Sequence, residues 1–471
     1  MKGSTPDRVE FLVAISHVAA MAFERVSRLA SIPAMLLIAV TWITGAVPAK
    51  AQGLIRDPDI EHGLRELAFP VLRAAGLNTN RVRILVVHDK TFNAFVIDYN
   101  AIYVNYGLIL TVDSPEMLQA VIAHEAAHIA NGHLARRVEN LRAAKRNASL
   151  GTALALIVAA AGGGEAAGGI AAGTSGSALR SFLGHTRAEE ASADRSAAGY
   201  LRWAGISPKG MVALHRKFAG QELLSEANQD PYTRSHPTSR ERLRAAEAFL
   251  DEFGDNSTHN ANADYWFARV KGKLSAFLRT PAWTMRRARE ESAEDIRLMR
   301  QAAAHHQNRD LAAARAAIDG ALAIRPDDPY YYELKGQILL ENRQMDQAVA
   351  AYGRAVEMAP NDSLILAGYG RALLAQGQTE NALQALEKAR ARDYRNGRLM
   401  QDLGVAYSQV GNNGMAAVVT AERYALQGRM ADAGIHAKRA IRQLPEGSPG
   451  WQRAQDVLIA SEQVEKKRKR R

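Results

Sequence analysis

Hydrophobic positions along the chain fall into a few patterns, each tied to one kind of element. Near the N-terminus Arg25-Val26-Ser27-Arg28 precedes a solid apolar run, Ile32 to Ile43, followed by Ala49-Lys50-Ala51. A basic flank, an apolar run short for a bilayer and a small-x-small pattern read as a secretory signal peptide. Cleavage after Ala51 would leave Gln52 first, with no cysteine there to carry a lipid. The apolar Phe11 to Ile15 is out of place upstream of such a segment. Residues 1–51 are therefore read as a signal peptide with an over-long extension, Met21 being an alternative start.

Next, Asp57 to Ala75 spaces Leu64, Leu67, Phe69 and Leu72 as the apolar side of an amphipathic helix. Arg83 to His88 is a β-branched run and predicts a strand. Phe92 to Ile97 and Ala101 to Val104 alternate, predicting two more strands around the turn Asp98-Tyr99-Asn100. Val121, Ile122, Ile129 and Leu134 sit among strong helix formers, behind Ser114-Pro115-Glu116. That tripeptide offers an N-cap, a first-turn proline and a first-turn acid. Ser149 to Gly176 is nearly all alanine, glycine and aliphatic residues; glycines 162–164, Glu165 and glycines 168–169 interrupt it, which argues against a membrane span. It reads as a helical hairpin or lid, or as a hairpin buried in the core. Leu201 to Leu224 continues as helix with a break at Gly205 to Pro208, and a polar loop follows, Ser225 to Arg234.

From residue 293 the pattern becomes periodic. Gly336, Gly370 and Gly404 recur at intervals of 34, as do Ala314, Ala348, Ala382 and Ala416. That is the tetratricopeptide period, with small residues where paired helices cross. Asn412-Asn413-Gly414 breaks the third repeat, and Gln427 to Pro445 is expected to add a further helix pair. The expected fold class is mainly α: an α+β zincin-type domain with a small sheet, then an α-helical solenoid. Its parts are residues 52–257, a linker over 258–292 with an amphipathic piece at Tyr265 to Phe277, repeats over 293–462 and a basic tail over 463–471.

Composition changes this picture little. The chain has 471 residues, a formal charge of +11 and no cysteine, so disulfides and thiolate metal sites are excluded. No nucleic-acid-binding motif accompanies the basic excess; anionic membrane surfaces are the milder partner for it.

The candidate chemistry lies in His124-Glu125-Ala126-Ala127-His128. Two histidines four apart on a helix point the same way about one turn apart and can bind one Zn²⁺. Glu125 between them can polarise a metal-bound water. A catalytic zinc needs a third protein ligand and an open position. Glu190 is the candidate, with Asp194 one turn on to hydrogen-bond the free nitrogen of a zinc histidine; Glu189 is then expected in solvent. His133 extends the helix pattern but sits one residue short of the third metzincin histidine, and reads as structural. His236, before Pro237 on a loop, could reach the open position, either to stabilise an oxyanion or to cap the metal at rest.

An HExxH followed by Arg187-x-x-Glu190-x-x-Ala193-Asp194 resembles the HtpX/CAAX-prenyl-protease superfamily of gluzincins. Within it, the chain looks like the periplasmic, repeat-bearing BepA-like branch. Asn93 to Phe95, Gly107-Leu108 and His236-Pro237 fit that resemblance in order, and Arg242 falls on the family's arginine. The resemblance implies one Zn²⁺ per chain held by His124, His128 and Glu190. It implies Glu125 as general base, with His236 or Arg242 sharing the oxyanion charge. It also implies pairing of extended substrate with Ala101 to Tyr106 or the neighbouring strand. By the same resemblance, the expected activity is periplasmic cleavage of misfolded or stalled envelope proteins in outer-membrane quality control. Those proteins, outer-membrane assembly machinery reached through the repeats, and a peripheral membrane contact are its expected partners. The alternative is a repeat chaperone or assembly factor whose zinc site is latent or shut.

Overall fold

The computed structural model describes residues 53–136, 186–220, 223–224, 229, 231–236, 240–253 and 259–469. The expected signal segment and the stretch 149–176 lie outside the described residues, as do residues 225–228 and 230 of the polar loop.

The N-terminal part packs helices on one small sheet. Its elements are β1 (Leu54–Ile55), α1 (Pro58–Ala74), β2 (Arg83–Val87), β3 (Ala94–Asp98), β4 (Ala101–Asn105), α2 (Tyr106–Thr111) and α3 (Pro115–Ala130). After them come α4 (Arg187–Trp203), α5 (Lys209–Lys217), α6 (Pro231–Ser235) and α7 (Arg240–Phe253). The sheet order is β1-β2-β4-β3, with β2 parallel to β4 and the outer pairs antiparallel. Of the two strands expected to offer an edge to substrate, β4 is therefore enclosed and β3 is the outer one. The hairpin turn is tied by Asp98, whose Oδ1 accepts from the Asn100 amide at 2.7 Å.

Helix α3 is apolar on nearly every side because every side is covered. Ser114 caps it, its Oγ accepting from Met117 N at 3.3 Å. Helix α1 crosses it, with the Gln119 amide bonded to the Leu67 carbonyl at 3.0 Å. Leu64, Leu67 and Leu72 are buried as expected, but Phe69 is 47% exposed. It falls on the opposite face, because the helix turns 100° per residue and position 69 lies out of phase with the other three. Alanines 193 and 197 of α4 are fully buried against α3 and let the two helices approach closely. Gly210 does the same for α5: a Cβ there would lie 2.3 Å from the Glu116 backbone.

Within the expected linker, the described residues 259–292 are largely helical. They form α8 (Ala261–Leu278) and α9 (Pro281–Ala288). One side of α8 places Phe267, Val270 and Leu274 in the N-terminal core, and the other sets Tyr265, Ala268 and Phe277 against the first repeats. The amphipathic piece thus has two buried faces, one for each neighbour.

The array is ten helices, α10 (Glu294–Gln307), α11 (Leu311–Ile324), α12 (Pro329–Glu341), α13 (Met345–Met358), α14 (Ser363–Gln376), α15 (Thr379–Arg392), α16 (Gly397–Gln409), α17 (Asn413–Leu426), α18 (Met430–Gln443) and α19 (Pro449–Lys469). Gly336 and Gly370 sit where helices cross: a Cβ would lie 2.6 Å from Tyr352 or Leu386 respectively. The 34-residue period also appears in the backbone. Arg309, Arg343, Gly377 and Gly411 all take positive φ at the turn inside a helix pair, a strained position for the two arginines. Two expectations change. Asn412 does not break the array but caps α17, accepting from Met415 N at 3.1 Å. The basic tail is not separate, because α19 continues through it to Lys469. The expected helix pair after Gln427 is α18 with α19, which ends beyond Pro445.

A buried ionic junction joins the N-terminal part to the array. Arg269 of α8 reaches Asp59 at 2.8 Å and Asp328, before α12, at 2.5 Å and 3.0 Å. Lys273 reaches Asp57 at 3.0 Å and Glu333 at 3.7 Å. Further along, Asp393 takes Arg56 at 2.6 Å and Arg83 at 3.0 Å. Between these contacts lies a cavity of about 630 Å³, lined by Leu54, Leu85 and Tyr103 on the sheet side and by Leu340, Leu364 and Arg371 on the array side.

Burial, with Asp57 and Asp59 nearby, pushes Glu333 up to about 8 against the opposing pull of Lys273. Its free-chain value is 4.5. Between those values the folded state holds the proton more tightly, so this group's contribution to stability falls as pH rises through the window. Glu333→Gln should match wild type near pH 5 and be the more stable protein at pH 9. Urea midpoints at the two pH values check this, and equal midpoints at pH 9 would refute it.

Candidate metal centre

His124, Glu125 and His128 come from α3, Glu190 and Asp194 from α4, His236 from the residue after α6, and Arg242 from α7. Helix α4 is set in register by a capping box in which Thr186 Oγ accepts from Glu189 N at 3.2 Å. The Glu189 carboxylate accepts from Thr186 N at 3.0 Å, so Glu189 is not merely solvated as expected. Every one of the seven site side chains expected from the sequence is in the cluster, and none is more than 6% exposed.

His124 Nε2 and His128 Nε2 lie 3.0 Å apart. Glu190 is 3.3 Å from the first and 3.4 Å from the second. His236 Nδ1 is 3.2 Å from His124 Nε2 and 3.2 Å from Glu190 Oε1. Ligands at about 2.0–2.1 Å from a tetrahedral zinc stand about 3.3 Å from one another. The separations given are near such an edge, with Glu190 turning Oε2 to His124 and Oε1 to His128 and His236, and one candidate ligand atom from each of the four residues lies within 4.8 Å of the others. The donor set of imidazoles and a carboxylate also suits zinc. Glu190 and Asp194 contact the Arg242 guanidinium while Glu125 stands against His236, an acidic surplus over that guanidinium that a divalent cation would neutralise.

The hydrogen bonds on the outer nitrogens turn the other nitrogen of each ring toward the centre of the cluster. His124 Nδ1 donates to Asp194 at 2.9 Å, so Nε2 is the nitrogen that would give up its proton to a metal. His128 Nδ1 meets His133 Nδ1 at 2.9 Å, so His133 orients a ligand rather than serving as one. His236 Nε2 faces the Ala94 carbonyl at 3.1 Å. A carbonyl only accepts, so Nε2 carries a proton, and Nδ1 is the nitrogen turned toward the cluster.

Arg242 does not face the open side of the cluster. It grips Asp194 through Nε at 2.6 Å and Nη2 at 2.9 Å, and Glu190 through Nη1 at 2.8 Å. Burial works against the charge of each partner, but Arg242 and His124 together hold the Asp194 carboxyl far below its usual range. Glu190 is held well below too, by His236, Arg242 and His124. Burial opposes the His124 imidazolium, yet Glu190 and Asp194 raise it to about 10, while His128 is lowered by burial.

Two site residues escaped the sequence reading. His215 of α5 lies 3.6 Å from Asp194 and is pushed down to about 4 by burial. Tyr232 of α6 stacks on His236 with ring centroids 4.9 Å apart. The sequence does not distinguish His215 from any other helical histidine, whereas Tyr232 lies one turn before the singled-out His236. Asn93 gains a definite partner: its Oδ1 accepts from Ser235 Oγ at 3.1 Å.

Residues 55–250 match peptidase family M48, and residues 339–406 match a tetratricopeptide repeat family. The chain is similar to the beta-barrel assembly-enhancing protease of Escherichia coli K12, 22% identical over 294 residues, 60% of this chain and 59% of that protein. It is similar to the Yersinia pestis protein of the same name, 23% identical over 218 residues, 46% of this chain and 44% of that one. It also resembles metalloprotease LoiP of Escherichia coli K12, 32% identical over 186 residues, 37% of this chain and 66% of that one. The chain thus spans about half the length of the assembly-enhancing proteases it matches. Among solved structures, MamA aligns with 36% of the chain and 97% of its own at 16% identity and a TM-score of 0.28, too slight a likeness to argue from. No described helix is long and apolar enough to cross a membrane.

Proposed function

We propose, for a chain that joins a peptidase family M48 domain to tetratricopeptide repeats, a zinc-dependent endopeptidase of the bacterial periplasm that acts on misfolded or stalled envelope proteins in outer-membrane quality control. The observation that carries this reading is the convergence of His124, His128, Glu190 and His236 beside the buried Glu125.

His124, His128 and Glu190 hold one Zn²⁺ per chain. Bound there, zinc supplies a Lewis acid for the scissile carbonyl and an acidified water. Glu125 takes a proton from the attacking water and delivers it to the leaving amine. Asp194 fixes the tautomer of His124, and Arg242 holds Asp194 and Glu190 in place. With Arg242 so engaged, the oxyanion part expected of it passes to His236 or to neither. At rest His236 caps the cluster through Nδ1.

Client selection belongs to the array. The cavity between array and sheet has the size of a ligand site and mixes aliphatic walls with arginines, which suits an unfolded segment or an assembly partner. The periplasmic placement is inferred from the expected signal segment, residues 1–51. One observation favours the rival reading, a repeat chaperone with a shut site: the closure of the cluster by His236.

Glu190→Ala removes a charged ligand and should lower zinc affinity about ten-fold or more, with casein hydrolysis falling alongside. Elemental analysis after dialysis against a weak chelator reads the affinity. Equal zinc content in variant and wild type would remove Glu190 from the ligand set.

A further inference from the structure

The reading above treats His236 as a cap on the metal cluster. Its other nitrogen points to a second task, because its partner is not a side chain but the backbone carbonyl of Ala94 in β3.

In an antiparallel pair, successive carbonyls of one strand point to opposite sides. The Asn93 carbonyl accepts from Asn105 N at 2.9 Å and so faces β4. The Ala94 carbonyl therefore faces away from β4, along the outer edge of the sheet. That edge is where an extended peptide adds as a further strand, by bonding its own amides to the strand's carbonyls. In this structure the acceptor at Ala94 is already taken by an imidazole N–H.

The segment carrying that imidazole is held on β3 as a unit. Ser235 Oγ bonds Asn93 Oδ1 at 3.1 Å, and the amide of His236 bonds the Tyr232 carbonyl at 2.7 Å. The Tyr232 ring lies 5.4 Å from Phe92, the residue just before β3, and 5.0 Å from Phe218. Phe92, Asn93 and Ala94 thus anchor Tyr232, Ser235 and His236 in turn. All six are at least nine-tenths buried.

We propose that His236 closes the substrate-docking edge of β3 as well as the metal cluster, so that strand docking and site opening are one exchange at the Ala94 carbonyl. The incoming ligand is an extended polypeptide with free amides. Its N–H replaces the His236 N–H on Ala94, and the released ring withdraws Nδ1 from His124 and Glu190 in the same movement. A folded protein without an exposed strand has no amide to offer and leaves the site shut. The proposal rests on the capping role given to His236 above and adds the condition under which the cap lifts.

The test measures binding in the full-length, zinc-loaded protein with Glu125→Gln in the background to prevent cleavage. The probe is a fluorescein-labelled eight-residue peptide of alternating valine and serine, with a twin N-methylated at every amide. Adding His236→Ala should tighten the plain peptide about ten-fold, the scale of one net hydrogen bond no longer competed for, and leave the twin unchanged. Ser235→Ala, which loosens the same segment and keeps the imidazole, should tighten the plain peptide about three-fold and covers the case of a misfolded histidine variant. Unchanged affinity for the plain peptide in both variants overturns the proposal, as does an equal gain for both peptides, which would make the ring a steric plug only. The capping role is read separately in cobalt-substituted protein. A visible absorption band unaltered by His236→Ala would remove the cap while leaving the peptide result to stand or fall alone.

Discussion

Glu125→Gln should keep one zinc per chain and lose casein hydrolysis by roughly a hundred- to ten-thousand-fold, the usual contribution of a general acid–base group. The substitution keeps the volume and polarity of a side chain that is fully buried, so packing changes little. It removes only the ability to take and return a proton. The metal stays because Glu125 is outside the converging set of His124, His128, Glu190 and His236. Its contact there is with His236, whose Nε2 lies 3.4 Å from Oε1. Loss of zinc in the variant would give Glu125 a structural role. Casein cleavage at the wild-type rate would end the endopeptidase reading and leave the repeat chaperone. The variant also retains a binding-competent array, so any client that survives only in the variant identifies itself as a substrate.

The residues that carry chemistry were legible because the chemistry is written in short spacings. Two histidines one helical turn apart, and a glutamate one turn before an aspartate, fix which face each side chain shares before any tertiary contact is known. The three longer strands were legible for the same reason, since alternation and β-branching act within five residues. What could not be read was partnership across the chain. Arg242 was placed at the site by the resemblance, but its commitment to Asp194 and Glu190 follows from where α7 packs. His215 and Tyr232 enter the cluster only because α5 and α6 close over it. The repeat turns show the limit in another way. Glycine at 377 and 411 announces a left-handed residue, whereas arginine at 309 and 343 takes the same φ without any local sign. Helix α8 was underread because its two apolar faces look like one broad amphipathic pattern until both neighbours are in place.

The same junction decides how far the array can be separated from the rest. Stacked repeats carry their own nearest-neighbour core, and on that ground alone removal of residues 293–471 would leave a soluble N-terminal part with its metal cluster intact. The buried charges argue otherwise. Arg269 is 1% exposed and Lys273 fully buried; Arg269 has Asp59 on the N-terminal side and Asp328 in the array, and Lys273 has Asp57 and Asp59 on the one side and Glu333 on the other. Truncation would leave Arg269 without the two-pronged contact from Asp328, while Lys273 keeps Asp57 and Asp59. Breaking a buried pair from one side costs about 3–5 kcal/mol, because the stranded charge keeps its desolvation penalty. Asp328→Ala isolates that effect in the intact chain. It removes both oxygens facing Arg269 and the cap that Asp328 gives to Tyr330 and Tyr331 amides at 3.0 Å and 3.2 Å. The expected loss is therefore about 3–5 kcal/mol for the pair and about 1 kcal/mol more for the cap, read as a lower urea midpoint for the N-terminal part and the array together. A loss below about 1 kcal/mol would mean that Asp59 alone satisfies Arg269, and truncation at residue 292 would then yield a folded metal site. With the larger loss, the array is a wall of the N-terminal core, and a ligand bound in the cavity between them would act on the domain that carries the candidate metal cluster.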